Sequence, residues 1–194
     1  MAASASKGII LLGGPSRHFA WQSEKLIEQI DRILKRDKDI SWTIANSRRT
    51  PDIFSQLVET RLKRKIVYWS DVDNDWLENE LAQCGFTWVT PDSISMVYEA
   101  LTTQGRVGIF DMNPLGRGGK VSSSIDRLVK AGRLGRSSLG SLLQQLETFE
   151  PLQESHRCAQ HIIDTWFKKS KSGYVNRTTC LLYTSPSPRD RLLS

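Results

Sequence analysis

The feature that most constrains this chain is a rhythm of short, continuous apolar runs separated by loops bearing Gly or Pro and by amphipathic stretches. Residues 8–12 (GIILL) end at Gly13-Gly14-Pro15. A run that is apolar at every position, not at alternate ones, is what a strand buried on both faces requires. Residues 23–34 then place Leu26, Ile27, Ile30, Ile33 and Leu34 on one side of a helix with charges opposite, and Ser23 stands where a cap belongs. Further strands are expected over 40–45, 65–69, 86–90 and 106–110. Between them, helices are expected from Pro51 with Thr50 as cap, over 75–83 with Gly85 as a left-handed stop, and from about 93 to 103. Such alternation predicts an α/β fold: a Rossmann-like parallel sheet with helices on both faces.

Beyond the fifth strand the signals thin. Residues 111–120 (DMNPLGRGGK) read as a Gly-rich basic loop before a helix over 121–131, and the Gly/Ser/Arg-rich stretch 133–141 reads as flexible. A last helix is expected over 153–168, with Cys158, Ile162, Trp166 and Phe167 packing back. The domain is therefore drawn at 7–170, after a disordered lead-in at 1–6 and before a disordered tail at 171–194. Within that tail, residues 180–190 (CLLYTSPSPRD) have neither period and carry two Ser-Pro steps. The string is similar to a reading-frame translation of an adapter used in sequencing-library preparation, so it is set aside from fold reasoning.

Composition narrows the function classes. With 194 residues, 39% hydrophobic and 25% charged, the chain can build one substantial core. A net charge of +6 favours an anionic partner. Cys84, Cys158 and Cys180 form no CxxC or metal spacing, and read as reduced thiols of a cytosol-like compartment. No apolar run approaches the ~20 residues of a membrane span, and the start lacks a secretory signal, so a cytoplasmic protein is expected. His18, His156 and His161 suggest neither a triad nor a metal set, and no metal or cofactor is expected. There is no GxGxxG followed by an acid about 20 residues on, and no P-loop.

Three loops stand out, because open parallel sheets bind ligands beyond the carboxyl ends of their strands. Gly13, Gly14 and Ser16 leave the first strand with two positions lacking Cβ, a hydroxyl and then Arg17, which suits close backbone approach to a phosphate. Ser47, Arg48 and Arg49 leave the second, at a helix start. Thr90, Asp92, Ser93 and Ser95 leave the fourth, where Asp92 or Ser93 also suits a cap. Glu99, further along that helix, has two readings: an ordinary solvated helix glutamate, or an acceptor for a ribose hydroxyl pair.

The segments Gly13-Gly-Pro-Ser-Arg-His18, Ser47-Arg-Arg-Thr-Pro51 and Thr90-Pro-Asp-Ser-Ile-Ser-Met-Val-Tyr-Glu-Ala100, in this order, resemble the mitochondrial fission "elongated mitochondria" family over roughly 7–167. Bacterial members of that family look like glycosyltransferases of the GT-B architecture. The resemblance implies a carboxy-terminal GT-B domain that holds a nucleotide-sugar donor. Gly13, Gly14 and Ser16 would then line the diphosphate, with Ser93 and Ser95 nearby and Glu99 on the ribose. It also implies a missing amino-terminal domain carrying acceptor contacts, a membrane-associated acceptor among the partners, and no catalysis by this fragment alone. The usual Asn-Pro-Tyr before the fourth strand is replaced by Asn74-Asp75-Trp76. The alternative implied by the plant side of the family is a non-enzymatic adaptor, peripheral at the mitochondrial membrane. Nucleic-acid binding ranks last, since only charge and the Arg/Gly stretch at 134–138 speak for it.

Overall fold

The computed structural model describes residues 4–116, 119–146 and 151–167. They divide into two compact units, one ending at Leu152 and the other starting at Gln153. The adapter-like string and the rest of 171–194 lie outside the described residues.

In the first unit, strands β1 (Ser4–Leu11), β2 (Ser41–Ala45), β3 (Ile66–Val67), β4 (Cys84–Val89), β5 (Arg106–Ile109) and β6 (Gly135–Arg136) form one sheet in the order 3-2-1-4-5-6. Every neighbouring pair is parallel. Helices α1 (Ser23–Arg36), α2 (Asp52–Leu62), α3 (Trp76–Gln83), α4 (Ile94–Leu101), α5 (Lys120–Lys130) and α6 (Leu142–Gln145) connect and cover it. Side chains alternate across a strand, so a run apolar at every position feeds two cores. Ile10 and Leu12 pack in a layer with Leu26, Ile30 and Ile33 of α1, Phe54 and Val58 of α2, and Leu142 of α6. Ile9 and Leu11 enter the opposite layer with Leu81 of α3, Val97, Ala100 and Leu101 of α4, and Ile125 of α5. The Rossmann-like α/β arrangement expected from the alternation is the fold of this chain.

Several local expectations change. β1 reaches back to Ser4, which pairs with Cys84, so residues 4–6 of the expected lead-in are strand. A sixth strand lies inside 133–141: Gly135 and Arg136 pair with Gly108 and Ile109, followed by a 3-10 turn at Ser137–Leu139. Gln145 fixes that edge by accepting from Arg136 N at 2.6 Å and donating to Arg136 O at 2.8 Å. Gly85 is not a left-handed stop; α3 runs directly into β4, where a Cβ on Gly85 would crowd the Ser4 carbonyl. Neither Ser23 nor Thr50 caps a helix. Thr50 Oγ1 instead donates toward the carbonyls of Leu12, at 2.9 Å, and Gly13, at 2.5 Å.

The second unit is described by α7 (Glu154–Ile162), which passes into a π-helical turn at Ile163–Phe167. Cys158 and Ile162 are exposed. The side chains of Trp166 and Phe167 lie outside what is described. No helix among the described residues is long and apolar enough to cross a membrane.

Candidate functional site

The sheet order reverses between β1 and β4, and this is where the polar loops meet. Leu11 pairs with both Ala45 of β2 and Val89 of β4, so three strands end at the same level. Loops leaving adjacent strands at one level must converge, and in open parallel sheets that crevice is the ligand site.

The loops are tied to one another through buried groups. Gly13 N–H donates to Thr90 Oγ1 at 2.7 Å, joining the β1 and β4 loops. Ser47 Oγ donates to Gly13 O at 3.3 Å, joining β2 to β1. Gly14 N–H donates to Asp92 Oδ2 at 2.9 Å, and Arg49 Nη2 reaches the same oxygen at 3.0 Å. A Cβ on Gly14 would overlap the Arg49 carbonyl, so only glycine fits where the two loops touch. Both glycine N–H groups that the sequence offered to a phosphate are thus occupied by side chains of the β4 loop.

Above this knot lies an open cleft of about 500 Å³ lined by Ser16, Arg17, His18, Arg49, Asp92, Ser93, Ile94, Ser95 and Val121. It collects one expected residue set: Ser16, Arg17, Arg49, Asp92, Ser93 and Ser95. Ser16 Oγ accepts from His18 N–H at 3.1 Å and Phe19 N–H at 3.3 Å, which shapes the loop and leaves its hydroxyl proton to donate. That loop is braced from the side: Ala20 N–H donates to Asn113 O and Leu115 N–H to His18 O, each at 2.8 Å. No side chain caps α4 at Ser93, and Ser93, Ile94 and Ser95 of its start line the cleft, a place where helix N–H groups suit an anion. Asp92 is the exception in an otherwise cationic and donor-rich space. Its side chain is fully buried, and burial pushes its carboxyl above the usual range despite the Gly14 N–H, the Thr90 hydroxyl and Arg49.

Ser47 and Arg48 fall on the other side of the same loop. They line a second groove of about 230 Å³ with Leu11, Ala45, Val67, Trp69, Val72, Trp76, Leu77 and Met96. The Arg48 guanidinium lies 5.9 Å from the centre of the Trp69 ring, which is half exposed. This apolar groove escaped the sequence reading. Trp69, expected in a strand over 65–69, stands in a 3-10 turn after a two-residue strand, and Trp76 opens α3, so only two tryptophans close in sequence between site loops could have flagged the groove. Glu99 is in neither space. It lines a third groove of about 370 Å³ between α3 and α4 with Asn74, Leu77, Glu78, Leu81, Thr102 and Thr103. The three spaces are neighbours along α4, since Ser95, Met96 and Glu99 each line one of them and Leu77 lines two.

Among the described residues no group of three His, Cys, Asp or Glu is placed to hold a metal ion. The family model for mitochondrial fission ELM1 matches residues 1–166. No curated protein matches the chain.

Proposed function

This chain belongs to the mitochondrial fission ELM1 family, and we propose that its six-stranded domain binds the diphosphate of a nucleotide-sugar donor, as the donor half of a glycosyltransferase. The observation that carries this reading is the convergence of Ser16, Arg17, Arg49, Ser93 and Ser95 on one cleft at the β1/β4 reversal, over the uncapped start of α4. Guanidiniums and helix N–H groups suit phosphate oxygens, one by charge and fork geometry, the other by the helix dipole. The adjacent groove deepens the reading. Its walls are mainly apolar, with two tryptophans and a guanidinium over one of them, as suits a flat heterocycle. Glu99 lies one turn of α4 beyond Met96 of that groove, on the same side, within reach of a ribose.

In sugar transfer the bond from the anomeric carbon to the diphosphate breaks, and its electrons leave with the diphosphate. Arg17, Arg49 and the α4 N–H groups would stabilise that growing charge. The acceptor, taken to be membrane-associated, and a base to deprotonate it would come from a further domain. By this reading the chain alone binds donor and transfers nothing.

The test is a thermal-shift panel on the full chain with UDP-, GDP-, CMP- and dTDP-sugars and the free nucleotides. Stabilisation should appear for one base class, grow with the logarithm of ligand concentration and reach about 2.7 kcal/mol at a hundred times the dissociation constant. A cooperative melt that no nucleotide or nucleotide sugar shifts would overturn the proposal. It would favour the second reading, an adaptor in mitochondrial fission, for which the family's own description speaks.

A further inference from the structure

We infer that Asp92 holds the anion cradle closed in the free protein, so that a phosphate ligand binds at Gly14 and Arg49 only by displacing this carboxylate. The inference rests on the phosphate reading of the cleft.

The geometry is that of a ligand surrogate. One oxygen, Oδ2, takes both the Gly14 N–H at 2.9 Å and the Arg49 guanidinium at 3.0 Å, the pair a phosphate oxygen would seek. The other, Oδ1, is buried and makes no close hydrogen bond; the Thr90 hydroxyl nearby favours the charged carboxyl. A buried acceptor without a close partner is costly, which a brace alone would not require. Bracing is in any case supplied by neighbours: Gly13 to Thr90, Thr50 to Leu12 and Gly13, and Ser47 to Gly13. Nor does Asp92 cap α4, whose N-cap position is Ser93.

A carboxylate and a phosphate within a few ångströms repel, and each favours protonation of the other. Occupancy of the cradle is therefore exclusive unless Asp92 leaves or takes a proton. Among the described residues, the charged and titratable groups lining the cleft with it are Arg49 from the β2 loop and Arg17 and His18 from the β1 loop; Ser93, Ile94 and Ser95 at the start of α4 and Val121 of α5 complete the lining. Asp92 thereby sets specificity. A monoanion gains no more at this cradle than the carboxylate it expels, whereas a diphosphate brings more charge and more acceptor oxygens to Arg17, Arg49 and the start of α4.

The test is calorimetric titration of the full chain with inorganic pyrophosphate at neutral pH and low salt, for the wild type and Asp92→Asn. The isosteric amide should bind about tenfold more tightly, one like charge having been removed. Equal or weaker binding by Asp92→Asn, with binding intact in the wild type, overturns this inference alone. Absence of binding in both defeats the phosphate reading and this inference with it. Should the variant not fold, the wild type answers: the carboxyl carbon resonance of Asp92 is followed through its titration with and without saturating pyrophosphate. Displacement or protonation of Asp92 changes its surroundings, so linkage requires the anion to move the midpoint, and an unmoved midpoint overturns the inference.

Discussion

The backbone N–H of Gly13 donates to Thr90 Oγ1 at 2.7 Å, in a fully buried position where the first and fourth strands end side by side. This bond crosses the reversal of strand order. Thr90→Val keeps the side-chain shape and removes the acceptor, leaving a buried donor unpaired. The variant should lose about 1–3 kcal/mol in urea denaturation. A loss within error of zero would mean that the β1 and β4 loops are not held by this bond.

Arg48 and Arg49 are adjacent in sequence and different in consequence. Arg49 pairs with a fully buried carboxylate, whereas Arg48 lies over an exposed ring. Arg48→Ala should be nearly neutral for stability. Arg49→Ala should cost about 1–2 kcal/mol at neutral pH, since it strands the Asp92 charge, but less than a wholly buried pair because Arg49 is 44% exposed. Equal thermal stabilities of the two variants would contradict the assignment.

Much of this architecture is legible in the sequence, and the reason is physical. The run 8–12 has no polar side chain because both faces of its strand are covered, and 86–90 carries Phe86, Trp88 and Val89 for the same reason, with Thr87 and Thr90 its only polar side chains. The failures share a cause as well: they turn on tertiary pairing. Ser4 is strand because it meets Cys84, and Gly135 because it meets Gly108. Thr50 looks like a cap until the Leu12 and Gly13 carbonyls approach it. Asp92 and Ser93 are interchangeable as cap candidates in the sequence, yet only one lies in the knot of loops. The cleft residues are legible because strand ends announce themselves, whereas the Trp69 groove depends on where a two-residue strand delivers the chain.

Asp111 carries a pH signature. Burial alone would push its carboxyl up, but hydrogen bonds from Ser138, Ser137 and Arg136 outweigh burial and hold it below the usual carboxylate range. A depressed folded-state value contributes stability above the unfolded value, lost as pH falls through the folded one. Asp111→Asn should therefore lower stability at neutral pH by about 1–2 kcal/mol. Its difference from wild type should shrink as pH is taken below about 4. Denaturation midpoints from neutral to acid pH check this, and a gap that stays constant or widens would contradict it.

Cys84 is buried at the start of β4, and burial pushes its thiol up to about 11, with Glu80 adding to the shift and Lys7 opposing it. Thiolate is the reactive form. A disulfide reagent at neutral pH should therefore label exposed Cys158 promptly and reach Cys84 only at the rate of unfolding. Rapid labelling of Cys84 in the folded chain, read by peptide mass, would contradict the packing at the β1/β4 seam.

The proposed place for a nucleoside diphosphate is along the start of α4, between the Arg49 cleft and the Trp69 groove. Its most direct test is amide chemical-shift mapping of the full chain during titration with the nucleoside diphosphate selected by the thermal panel. Saturable shifts are expected at Gly14, Ser16, Arg49, Ser93 and Ser95, with the Trp69 indole moving in parallel. Shifts that saturate elsewhere on the domain, leaving these groups still, would contradict it.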